Sequence, residues 1–104
     1  MNPWLLVAIA GLMETGWAVG LKYSDGLTKP LPSALTLAGA ALSFWVLSLA
    51  MRDLPVGTAY AVWVGIGATG TAIAAVLLFG EPVTPWRVAG IGLIVAGIIA
   101  LKLA

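Results

Sequence analysis

Four long apolar stretches divide the chain, and short polar segments punctuate them. The first runs from Pro3 to Leu21 and holds a single charge, Glu14. The segment from Lys22 to Pro30 reads as a loop, with Gly26 and Pro30 as breakers. The second stretch, Leu31 to Met51, carries no charge, and Arg52 to Gly57 makes a short turn. The third, Thr58 to Phe79, is again uncharged and is closed by Gly80-Glu81-Pro82-Val83-Thr84-Pro85. The fourth extends from Trp86 to Leu103, with Arg87 near its start and Lys102 near its end. A helix needs about 20 apolar residues to cross a bilayer, and each stretch has the length. The pattern predicts an all-α membrane protein, a single four-helix transmembrane domain over residues 1–104. Ala8-Ile9-Ala10 mimics the cleavage site of a secretory leader, but no positive charge precedes the apolar run and Glu14 lies within it. The first stretch is therefore expected to be a permanent span. The two halves show no internal repeat.

Composition narrows the function classes. Of the 104 residues, 62% are hydrophobic and 9% charged, against about a quarter charged in soluble domains. The net charge of +1 offers no basic patch for nucleic acid and no acidic tail. Without cysteine there is no disulfide, thiol catalysis or thiolate metal site. Without histidine the usual proton shuttle and the commonest metal ligand are missing. Proton chemistry must fall to a carboxylate, and neither a metal nor a cofactor is expected. Gly65-Ile66-Gly67-Ala68-Thr69-Gly70 matches the dinucleotide fingerprint by letter. That motif needs a strand before it, an amphipathic helix after it and a later acidic residue. A mid-membrane run has none of these, and its glycines suit close packing or a hinge, at Gly65 and Gly67 above all.

Charge placement bears on orientation. Four spans put both termini on the same side as the middle turn. That side carries Arg52, Lys102 and the amino terminus, and the other carries Lys22, Lys29 and Arg87. The positive-inside rule acts through imbalance, and here the two sides nearly cancel. Such a chain can insert both ways up, and two copies can then pair as an antiparallel homodimer, in the manner of inverted repeats. One fixed orientation, set by factors other than charge, is the alternative. The fourth stretch suits an interface: Gly90 and Gly97 lie two turns apart on one side, and Gly92, Ala96 and Ala100 form a second small row. Packing within one chain is the competing use of those residues.

Glu14 is the prime candidate for chemistry. A carboxylate inside a span costs a few kcal/mol on insertion scales and normally faces the protein interior or a wet cavity. Low-dielectric surroundings disfavour its bare ionised form, so it holds a proton or a cation, but not both comfortably. Trp17 shares its helical face, flanked by the small Ala10 and Ala18. Tyr60 and Trp63 repeat the spacing in the third stretch, with Gly67 one turn beyond. Aromatic faces attract cations, and Trp17, Tyr60 and Trp63 beside Glu14 would make an aromatic box around an anion. The competing reading for Trp17 and Trp63 is the interfacial aromatic belt. Trp4, Trp45 and Trp86 are assigned to that belt or to lipid. Ser43 can hydrogen-bond across helices or back to its own.

These residues carry a family resemblance over essentially the whole chain. Glu14, Lys22-Tyr23-Ser24-Asp25-Gly26 with Pro32-Ser33, Leu54-Pro55-Val56-Gly57-Thr58-Ala59-Tyr60-Ala61-Val62-Trp63, and Gly80-Glu81-Pro82 together resemble the small multidrug resistance family. Trp17, three residues after the glutamate, and Gly65 to Ala68 after Trp63 make the chain most similar to the family's guanidinium-exporter branch. Thr15-Gly16 departs from the bulkier residues often found there. The resemblance implies an antiparallel dimer in a bacterial-type inner membrane, whose two Glu14 side chains share one site exposed alternately to each side. It also implies proton-driven export of guanidinium, with Trp17, Ser43, Tyr60 and Trp63 lining the site, and no covalent catalysis. The alternatives are a broader exporter of quaternary ammonium and other drug cations, a passive dual-topology channel, and an accessory subunit without transport. The last fits poorly with the cost of burying Glu14.

Overall fold

In the computed structural model, which describes residues 2–104, four helices follow one another: α1 (Pro3–Tyr23), α2 (Pro30–Ala50), α3 (Val56–Phe79) and α4 (Pro85–Leu103). At 1.5 Å per residue, their 21, 21, 24 and 19 residues make rods of about 28–36 Å, enough to cross the hydrocarbon core of about 30 Å. All four are long and apolar enough to span a membrane, as the apolar runs implied.

The ends show how proline is used. Pro3, Pro30 and Pro85 each occupy the first helical position, where the missing N–H would have no partner anyway and φ is already helical. Pro30 therefore starts α2 instead of interrupting the chain before it, and Val56 and Gly57 belong to α3 instead of the turn. Lys22 and Tyr23 extend α1 beyond Leu21, where a cation suits the negative end of the helix dipole. Two starts are capped by side chains. Asn2 Oδ1 accepts from the Trp4 N–H at 2.8 Å, and Thr84 Oγ1 accepts from the Arg87 N–H at 3.2 Å. Gly80 ends α3 at φ 64°, the left-handed cap that glycine adopts without strain.

The connection from α1 to α2 is organised by Ser24, which is fully buried. Its hydroxyl donates to the Leu21 carbonyl at 2.7 Å and accepts from the Leu27 N–H at 3.0 Å. Around it Asp25, Gly26 and Leu27 all take positive φ.

Packing is uneven. α1 lies between α2 and α3 and packs along both, while α2 and α3 meet only briefly and α4 packs on α3. Val7, Ala10, Val46, Leu47, Ala50, Ala59, Val62 and Trp63 form the buried cluster. It sits at the end holding the α1 N-terminus and the α2–α3 turn. Toward the other end a groove of about 480 Å³ opens between α1 and α2, lined by Met13, Trp17, Gly20, Thr36 and Gly39 among others. α4 has no buried residue at all. Near its end the Lys102 ammonium lies 4.8 Å from the centroid of the Trp4 ring on α1.

Candidate functional site

The α1–α3 seam is built on glycine. In lipid, helices associate by close packing, which small residues permit. A β-carbon at Gly11 would lie 2.7 Å from the Ile66 side chain and 3.3 Å from the Trp63 carbonyl oxygen. One at Gly67 would overlap the Glu14 carboxylate, and one at Gly70 would overlap the Thr15 hydroxyl. Glu14 thus lies flat against the bare backbone of α3 at Gly67. Its Oε2 is buried and has no hydrogen-bond partner among the described residues. Buried polar atoms are nearly always paired, and Ser33 Oγ, Thr36 Oγ1 and Thr71 Oγ1 share this lack of a partner among the described residues.

The aromatic residues form a ladder. Tyr60 and Trp63 have ring centroids 5.5 Å apart, Trp63 and Phe44 5.4 Å, and Phe44 and Trp17 6.2 Å in an edge-on contact. These separations are those of attractive aromatic pairs. Trp63 is 4% exposed, while its ring neighbours Tyr60 and Phe44 are 54% and 51% exposed, so the ladder dips into the core at Trp63 and opens on either side of it. Trp63 Nε1 donates to Ser43 Oγ at 3.0 Å, and Ser43 Oγ donates to the Ala10 carbonyl at 2.8 Å. This relay ties α3 to α2 and α2 to α1, so the fully buried Ser43 bonds across helices and not back to its own. Trp17 Nε1, like Glu14 Oε2, is buried without a partner.

The structure therefore joins Ser43, Tyr60 and Trp63 directly and links Trp17 to them through Phe44. No hydrogen bond connects Glu14 to the Tyr60 phenol within one protomer. Phe44 was not singled out by sequence. It follows Ser43 in an uninterrupted apolar helix, and nothing in periodicity marks it as the ring between two tryptophans. Gly65 and Gly67 have separate surroundings. Gly65 faces α4, where a β-carbon would lie 2.8 Å from Ile98 Cδ1 and 3.3 Å from Ile94 Cγ2, and Gly67 faces Glu14. At Gly90 and Gly97 an added β-carbon would meet nothing within 4 Å, so these glycines make room for no part of their own chain. Trp45 and Trp86 are exposed, and Trp4 is half-buried beneath Lys102. Among the described residues no cluster of acidic side chains has the arrangement of a metal site. The Arg87–Glu81 ion pair at 3.1 Å lies at the exposed α3–α4 connection.

Comparison with known proteins identifies the family. The chain is 57% identical over 101 residues to the guanidinium exporter of Citrobacter freundii, covering 97% of this chain and 96% of that one. The guanidinium exporter of Salmonella typhimurium is similar to the same extent. That of Yersinia pseudotuberculosis is 54% identical, with 97% of each chain covered. Residues 2–94 match the family model described as Small Multidrug Resistance protein. With four membrane-spanning helices and full-length relatives of this kind, the chain is a multi-pass membrane protein that belongs to the small multidrug resistance family.

Proposed function

We propose that this protein exports guanidinium, or small substituted guanidinium cations, across a bacterial inner membrane in exchange for protons. The observation that carries the reading is the Glu14 carboxylate, held mid-span against Gly67 with a buried oxygen left unpaired. A carboxylate in that position calls for a counter-ion or a proton. Guanidinium fits the chemistry around it. It is planar, its N–H groups pair bidentately with a carboxylate, and its face stacks on aromatic rings, of which Trp17, Tyr60 and Trp63 are at hand. The names of the full-length relatives support the same cargo.

The working unit is an antiparallel homodimer. Three things support it: the near balance of charge between the two sides, the absence of any buried residue on α4, and the open glycines Gly90 and Gly97 on that helix. Two Glu14 carboxylates then share one site, with Trp17, Ser43, Tyr60 and Trp63 lining it, and titrate as a coupled pair. Proton and cation exclude each other there, so the dimer reorients loaded with one or the other. Alternating access follows if α3 flexes at Gly65 and Gly67, whose lack of side chains lets α1 and α4 slide over them.

Proteoliposomes with an imposed pH gradient test the proposal. Wild-type protein should concentrate guanidinium against its own gradient, and Glu14→Gln, which keeps the shape but neither charge nor titration, should not. Uptake that only dissipates gradients would instead make the protein a channel. Uptake of bulky aromatic cations as fast as guanidinium would make it a broad drug exporter.

A further inference from the structure

Hydroxyl groups inside helices usually bond back to a carbonyl one turn earlier, and this chain shows the habit. Ser48 Oγ donates to the Trp45 carbonyl at 2.6 Å, and Thr69 Oγ1 to the Gly65 carbonyl at 2.7 Å. Ser33, Thr36 and Thr71 have buried hydroxyls without a partner among the described residues, and two helical hydroxyls bond to another helix. Ser43 crosses from α2 to Ala10, within the relay already described. Thr15 crosses from α1 to α3, its Oγ1 3.4 Å from the Gly67 carbonyl oxygen. Gly67 is also the residue on which the Glu14 carboxylate rests. The Thr15 side chain fills the space above Gly70, where a β-carbon would lie 3.2 Å from Thr15 Cβ and 3.3 Å from its Cγ2. Neighbouring residues of α1 thus occupy two neighbouring glycine seats on α3, and both touch Gly67. Gly16, next in line, would gain a side chain in open space, so the fit belongs to Thr15.

We propose that Thr15 is a positioning residue for Glu14: by seating on Gly70 and bonding to the Gly67 carbonyl, it fixes the rotation of α1 that lays the carboxylate on α3. Its substitution alters how the carboxylate meets its ligand without touching the ligand. The consequence for transport rests on the reading of Glu14 as the shared proton and cation site, whereas the structural half does not. The bond is long for an O–H···O contact, and interhelical hydrogen bonds in membranes are individually modest, so the expected change in affinity is about threefold.

The test compares Thr15→Val, which keeps the shape and removes the hydroxyl, with Thr15→Ser, which restores it. Glycine labelled with carbonyl ¹³C and alanine labelled with ¹⁵N give a paired signal only at Gly39-Ala40 and Gly67-Ala68. Labelled glutamate adds Glu14, with the exposed Glu81 as an internal control. In bilayers, Thr15→Val should move the Gly67 carbonyl and Glu14 carboxyl resonances and leave Gly39 and Glu81 in place. Thr15→Ser should return both toward wild type. The same pair should raise and then restore the guanidinium KM by about threefold, whereas a purely structural role would lower the yield of assembled protein and leave KM alone. Unmoved Gly67 and Glu14 resonances in Thr15→Val would overturn the proposal, as would a shift at Gly67 with Glu14 and KM unchanged. Shifted resonances in a protein that fails to transport guanidinium would leave the positioning role standing and remove the cargo assignment.

Discussion

Replacing Gly67 with alanine puts a methyl group where the Glu14 carboxyl lies. The added β-carbon would overlap Oε2 and the carboxyl carbon and would stand 2.7 Å from Cγ, so the whole head of the side chain must leave its seat. What it meets is the end of a flexible side chain and not backbone. The cost to the fold therefore lies at the low end of overpacking, about 1 kcal/mol, and the better helix propensity of alanine offsets about the same amount. Binding has no such compensation. A displaced carboxylate loses a charge-assisted hydrogen-bond geometry worth about 1.5–3 kcal/mol, or roughly 10- to 100-fold in affinity. The prediction is a dissociation between the two: a thermal midpoint close to wild type and guanidinium binding weakened by at least tenfold. Titration of purified protein followed by tryptophan fluorescence, beside a melting curve, reads both. Gly57→Ala is the control, since a β-carbon there, on the same helix, meets nothing within 4 Å. Wild-type affinity in Gly67→Ala would refute the placement of the binding carboxylate on α3.

Two other perturbations follow from particular contacts. Ser43→Ala removes the acceptor of the Trp63 indole and the donor to Ala10, leaving a buried N–H unpaired; unfolding titrations should show a loss of about 1 kcal/mol, and substrate affinity should fall with it as Trp63 loosens. Two lysines added to the turn at Arg52 should hold that turn in the cytoplasm. The variant alone should then lose transport and regain it when mixed with an oppositely biased copy, and full activity of the single variant would contradict the antiparallel dimer.

The spans were legible because lipid imposes one requirement, about 20 apolar residues in helix, and charges interrupt the runs where it lapses. Their ends were less so. Pro30 reads equally as a breaker and as a first helical residue, and local geometry alone decides. Glu14 was legible for the same reason as the spans, since a lone carboxylate in an apolar run is costly. The partners of the site were harder to see, because they come from different helices whose relative rotation no single-chain periodicity reports. Ser43 and Trp63 stand 20 residues apart and share a hydrogen bond. Phe44 carried no signal beyond being apolar. Gly67 reads from the sequence as a position for close packing or a hinge, and its role as the seat of a carboxylate emerges only when α1 is laid against it. Thr15 was visible as a departure from the usual pattern, and the cross-helix bond gives that departure a physical reason.

The central claim is that one carboxylate serves proton and cation in turn, and calorimetric titration of guanidinium across pH tests it most directly. Because both ligands compete for Glu14, each must weaken the other by the same factor. Binding should release protons, counted by repeating the titration in buffers of different ionisation enthalpy. Apparent affinity should rise with pH through the Glu14 titration and level off above it. An affinity independent of pH, with no proton released on binding, would contradict the account and leave Glu14 a structural residue.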